Sequence, residues 1–298
     1  MNKIFYAFLF LLLGGNAHAA LNVFACEPEW AALTQQLAGD KANVYTATGP
    51  LQDPHQVQAR PSLIARARNA QLLVCTGAEL EIGWMPVVLR ESGNSTIQPG
   101  STGDFQAAQY VTMLEVPTRL DRADGDVHAA GNPHIQTDAR NFLPIAEALS
   151  KRLVLLDPAN TVYYQQRLAT FNQQWRAAIA KWEVQAAPLK GVPVVAHHKG
   201  FPYLNNWLGL NEVAELEPKP GMEPSAAYLG QVLSTLQQHP ARMVIRAAYQ
   251  NERPSEWIAE RAHIPAVSLP FTVGGTPQAT DLFKMFDDTI QRLLAGLK

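Results

Sequence analysis

DPANTVYYQQRLATFNQQWRAAIAKWEVQAAP, residues 157–188, decides how the rest of the chain is read. Tyr164, Leu168, Phe171, Trp175, Ile179 and Trp182 recur at spacings of four, three, four, four and three, with no Gly or Pro between Pro158 and Pro188. This is the period of an α-helix with one apolar face. Asp157-Pro158 supplies a cap and then a proline at the first helical position, where the missing N–H is an orphan in any helix. About thirty residues at 1.5 Å each give roughly 45 Å, enough to run the length of a two-lobed molecule as a stiff connector. An ordinary core helix is the plainer alternative.

On both sides of this helix, short apolar runs alternate with helical patterns. Before it come Val23–Cys26, Trp30–Leu37 and Val44–Thr46, then a helix opening at Pro61-Ser62, then Leu72–Val74. After it come Val192–Ala196, a helix through Gln231–Leu236, Met243–Arg246 and Val267–Leu269. Strand, helix, strand in this rhythm predicts parallel sheets covered by helices. The expected fold class is α/β, two such lobes joined by the long rigid helix, with a terminal helix from about Thr280 to Leu297. The divisions are a signal peptide over 1–20, an N-terminal lobe over 21–156, the connector over 157–189 and a C-terminal lobe over 190–298.

The first twenty residues carry Lys3, an apolar run from Ile4 to Leu13 and the small-residue site Ala17-His18-Ala19, which reads as a secretory signal. At about ten residues the run is short for a membrane span, which needs roughly twenty. Cys26 lies several residues beyond the cut, so no lipid attachment is expected and the protein is placed in the periplasm. Without Lys3, 23 basic residues stand against 26 acidic ones, with no basic tract, which makes nucleic acid a poor partner. The protein is expected to be a monomer. Cys26 and Cys75 each end a predicted strand, and in an oxidising compartment they are expected to pair. Two buried free thiols, or a thiolate near a metal, are the alternatives.

Three histidines, His55, His134 and His198, lie 79 and 64 residues apart, each just past a predicted strand. Such spacings exclude a local finger, so these residues act together only if the fold assembles them. Asp53-Pro54 and Asn132-Pro133 force extended, turn-forming backbone ahead of two of the rings, which limits the entropy lost on binding metal. His197 and His198 are adjacent at a strand end and point to opposite sides, so only one serves a given ion.

At these residues the chain resembles the metal-specific substrate-binding proteins of bacterial ABC importers, the ZnuA/TroA-like group. The resemblance rests on Asp53-Pro54-His55 with Arg60-Pro61-Ser62, Asn132-Pro133-His134 with Asp138, and His198-Lys199-Gly200-Phe201-Pro202-Tyr203. It rests also on Gly77-Ala78-Glu79-Leu80-Glu81 with Trp84, on Pro220-Gly221-Met222-Glu223-Pro224-Ser225 and on Leu156-Asp157-Pro158. It implies one metal ion in the inter-lobe cleft, bound by His55, His134 and His198, with a membrane permease as partner. The group often adds an acidic ligand after the last strand. Here that stretch reads Leu269-Pro270-Phe271-Thr272-Val273-Gly274-Gly275, without a carboxylate. Water or Glu27, at the end of the first strand, is expected to fill the fourth position. Three imidazoles suit zinc, whereas manganese prefers more oxygen, so zinc is the expected cargo and manganese the lesser one. The acidic stretch Asp121, Asp124, Asp126 and His128 reads as a solvated turn, or as a loop that hands metal to the site.

Two other functions compete with import. Catalytic zinc also uses three protein ligands and an open position, but no His-Glu-x-x-His, Gly-x-Ser-x-Gly or phosphate-loop pattern is present. A periplasmic zinc chaperone or sensor remains the alternative to an importer receptor. The long helix predicts limited hinge motion, with metal-linked change centred on residues 128–134.

Overall fold

Each lobe is built on four parallel strands in the same order, and the two sheets present their carboxyl ends to a common cleft. The computed structural model describes residues 19–119, 125 and 127–298. The expected signal segment, through residue 18, and Asp121, Asp124 and Asp126 lie outside the described residues.

In the N-terminal lobe β1 (Leu21–Ala25), α1 (Pro28–Ala38), β2 (Ala42–Thr46), α2 (Pro61–Arg68), β3 (Leu72–Cys75), α3 (Met85–Ser92) and β4 (Asp104–Gln106) follow in order, and the sheet runs β2-β1-β3-β4. α4 (Phe142–Leu156) closes this lobe and leads into α5 (Thr161–Ala186). The C-terminal lobe holds β5 (Pro193–Ala196), α6 (Pro202–Leu208), β6 (Asn211–Glu215), α7 (Ala226–Gln238), β7 (Met243–Ala247), α8 (Glu252–Ala262), β8 (Ala266–Leu269) and α9 (Leu282–Ala295), in the sheet order β6-β5-β7-β8. All six strand pairings among the described residues are parallel. The central strands β1, β3, β5 and β7 are almost wholly apolar, as expected where helices cover both faces of a sheet.

The connector is real but starts differently from its sequence reading. Pro158–Asn160 and Ala187–Leu189 are 3-10 turns at the two ends of α5. Asp157 makes no side-chain cap. Its carboxylate instead accepts from Tyr164 Oη at 2.6 Å and Asn160 Nδ2 at 2.7 Å, tying the turn to the first aromatic of the apolar face. α5 spans 26 residues, roughly 39 Å. Its buried Phe171, Trp175 and Trp182 pack with Phe142 of α4 and with Phe283 and Phe286 of α9. One apolar core therefore runs through both lobes, and the helix shares it rather than bridging open solvent. No helix among the described residues is long and apolar enough to cross a membrane.

Cys26 and Cys75 are joined, with Cα atoms 4.8 Å apart, within the usual disulfide span. Cys26 follows β1 and Cys75 ends β3, so the bond ties the carboxyl ends of these two neighbouring strands together.

Candidate metal centre

The three predicted histidines meet. His55 sits on the loop after β2, His134 on the segment before the Ile135–Thr137 turn, and His198 just beyond β5. One ligand nitrogen from each lies within 4.8 Å of the others, and ring centroids stand 5.2 to 5.7 Å apart. This is where open α/β sheets place ligands, outside the carboxyl ends of their strands.

Two of the rings are oriented by carboxylates. Asp53 Oδ1 lies 2.9 Å from His55 Nδ1 and also accepts from the His55 backbone N–H at 3.0 Å. Glu217 Oε2 lies 2.7 Å from His198 Nδ1 and accepts the Gly221 N–H at 2.7 Å. With the proton held at Nδ1, each neutral ring carries its lone pair at Nε2. His55 Nε2 is buried with no hydrogen-bond partner. His134 Nε2 lies 3.2 Å from His198 Nε2. In a tetrahedral zinc site with metal–nitrogen bonds of about 2.0–2.1 Å, two nitrogens stand roughly 3.3 Å apart, so this edge has the right length.

His134 has no carboxylate behind it. Its Nδ1 is buried without a partner, and the ring edge meets Phe271 at 5.3 Å between centroids. Burial first, and the neighbouring His55, His198 and His128 next, hold it well below the usual histidine range, so it stays neutral and able to donate. Its backbone supplies the positioning instead. Asn132 Oδ1 accepts the His134 N–H at 3.0 Å, while Asn132 Nδ2 donates to Lys199 O at 2.8 Å. Tyr203 Oη donates to Asn132 O at 2.8 Å and accepts from Leu114 N at 3.0 Å. Asn132 thus fixes the His134 segment of one lobe to the backbone beside His198 of the other.

Glu27 does not join this grouping. It is buried at the start of α1, where Thr76 Oγ1 donates to its Oε2 at 3.3 Å, and it shares its surroundings with Glu81 and Glu29. Burial, and then repulsion from those two acids, raise it well above the ordinary carboxylate range. Glu29 and Glu81 are themselves pushed up to about 7, chiefly by burial. Phe271 occupies the wall where an acidic ligand was sought, and its neighbour Thr272 donates to Glu29, a link between the lobes behind the site. His197 faces away, with Nδ1 2.9 Å from Ser255 Oγ.

The sequence reading passed over Glu217. It follows β6, two residues beyond Glu215 and beside β5, the central strand that leads to His198. An acid at that sheet edge was the available signal. Trp84 contributes too, since its Nε1 donates to Pro54 O at 3.0 Å and steadies the His55 loop.

Residues 23–296 match the model of the zinc-uptake complex component A, periplasmic, the ZnuA family. The chain belongs to this family. It is 23% identical over 284 residues to the manganese ABC transporter substrate-binding lipoprotein PsaA of Streptococcus pneumoniae, covering 90% of this chain and 87% of that protein. It is 21% identical over 290 residues to the metal ABC transporter substrate-binding lipoprotein SloC of Streptococcus mutans serotype c, covering 95% and 92%. Its fold matches a crystal structure of ZnuA with a TM-score of 0.77 at 21% identity, covering 94% of this chain and all of that one. It is thus a metal-binding substrate-binding protein of the ABC-importer kind, not an enzyme.

Proposed function

We propose that this ZnuA-family protein captures zinc in the periplasm through His55, His134 and His198 and delivers it to the permease of an ABC importer. The observation that carries the choice of zinc is the donor set, three convergent imidazole nitrogens with no carboxylate oxygen among them. Imidazole suits zinc, whereas manganese takes a larger share of carboxylate, carbonyl and water oxygens. The nearby acids Asp53 and Glu217 turn their oxygens to the rings, where they raise the basicity of the nitrogens.

Relatives named as manganese binders favour the second reading, manganese as cargo. The Phe271 ring against His134, in place of an oxygen donor, weighs against it. Cys26 is buried and bonded to Cys75, so its sulfur is not available to carry a lipid.

Capture here requires little movement. The shared core and the Asn132 link favour loop adjustment around the ion, and release then falls to the permease, which must pull the three ring-bearing segments apart. Competition for the purified mature protein between zinc and manganese, read with a chelating dye for each, tests the assignment. Tighter zinc binding by several orders of magnitude is expected, and comparable affinities would transfer the assignment to manganese.

A further inference from the structure

The triad supplies three donors, and the fourth is open to question because Glu27 stands elsewhere. A cavity of about 310 Å³ lies against the triad, and His128, His134 and His198 all line it. The His128 ring stands 5.5 Å from that of His55, inside the range that separates the three triad rings from one another. His128 therefore borders the same space as two of the ligands and is a ring neighbour of the third.

The segment that carries it is seated on both lobes. Ala129 N donates to Glu79 Oε2 of the N-terminal lobe at 2.7 Å. Gly125, with φ of +84°, lies so close to the C-terminal lobe that an added Cβ would meet Pro220 O at 2.5 Å. A turn between His128 O and Gly131 N, 3.1 Å, then delivers the chain to Asn132 and His134. His128 thus sits on a braced turn beside the His55 ring, at the rim of the cavity that His134 and His198 also line.

We propose that His128 is the fourth metal ligand, turning into this cavity to complete a four-imidazole set around the ion. This rests on the zinc-receptor reading and deepens it. Four nitrogens leave no oxygen in the coordination sphere, so His128 is also a determinant of zinc preference over manganese. Since it comes from the cavity side rather than the sheet side, it is the last ligand to engage and the first to leave.

X-ray absorption at the zinc edge, on the full mature protein loaded with one equivalent of zinc, tests this directly. Four imidazoles are expected in the wild type. His128→Ala and His128→Gln are expected to show three imidazoles and an oxygen, with zinc affinity lower by roughly 10–100-fold, the scale set by loss of metal-site partners. Far-UV circular dichroism of both variants establishes that they fold. A wild type with three imidazoles, or variants whose coordination is unchanged, overturns the assignment even if affinity falls, because His128 then acts only from outside the coordination sphere. His134→Ala separates the two failures. If it loses zinc while the His128 variants match wild type in coordination, the receptor reading stands and this one fails. If the wild type holds no stoichiometric zinc, both fail.

Discussion

Glu217 Oε2 lies 2.7 Å from Nδ1 of His198, and the corresponding nitrogen of His134 has no partner at all. The site is therefore asymmetric. His55 and His198 are held in tautomer and direction by Asp53 and Glu217, whereas His134 is held through its backbone by Asn132.

Removing the carboxylate behind a ligand frees the ring and lowers its basicity. Glu217→Ala is expected to weaken zinc binding by roughly 10–100-fold, with Glu217→Gln in between because its amide oxygen still accepts from Nδ1. Chelator competition measures this, and wild-type affinity in Glu217→Ala would show that the contact plays no part in binding.

Phe271 has a φ of +54°, a left-handed conformation that aspartate tolerates better than a bulky ring. Phe271→Asp relieves that strain and places an oxygen donor beside His134. The preference for zinc over manganese is expected to fall by about tenfold or more, measured by paired titrations. An unchanged ratio would argue that this wall has no access to the ion.

The buried Glu81 predicts a pH dependence of stability. Burial disfavours its charge and pushes its folded value up to about 7, above the ordinary carboxylate range. The stability it contributes is complete below about pH 4.5 and is lost as pH rises through about 7. Glu81→Gln removes this titration while keeping an acceptor for the Thr76 and Gly77 N–H groups. The wild-type melting temperature should fall relative to the variant between pH 5 and 8, by the equivalent of a few kcal/mol. Parallel curves would mean that Glu81 ionises as it does in the unfolded chain.

The Cys26–Cys75 bond closes a loop with a sequence separation of 49. In the chain-entropy account such a closure contributes about 4 kcal/mol. Cys26→Ser with Cys75→Ser should lower stability by about that amount in denaturant melts while zinc stoichiometry stays at one. Lost stoichiometry would show that the bond also shapes the site.

Most of the architecture was legible because its signals are local. The 3.6-residue period from Tyr164 to Trp182 and the apolar strand runs depend only on neighbours along the chain, so α5 and the central strands appear near their expected places. Proline turns ahead of His55 and His134 and a strand end ahead of His198 mark the histidines in sequence, although the strand expected before His134 is absent among the described residues. Glu27 shows where such reading stops. Its topological position, at the end of β1, is right for a ligand, but Thr76 and the acids at 29 and 81 enclose it, and those contacts come from other strands and helices. Asp157 was misread for a similar reason, since Tyr164, one turn into the helix, claims the carboxylate expected to cap it. The Asn132 link was invisible because it joins segments far apart in sequence, and no short motif encodes a partner 67 residues away.

Zinc stoichiometry and affinity of the mature protein, measured by chelator competition for wild type and His134→Ala, test the central claim most directly. One tightly bound zinc in the wild type, lost or weakened by several orders of magnitude in His134→Ala, is the predicted result. A wild type without stoichiometric zinc, or a His134→Ala protein that binds it as tightly, would contradict the zinc site described for His55, His134 and His198.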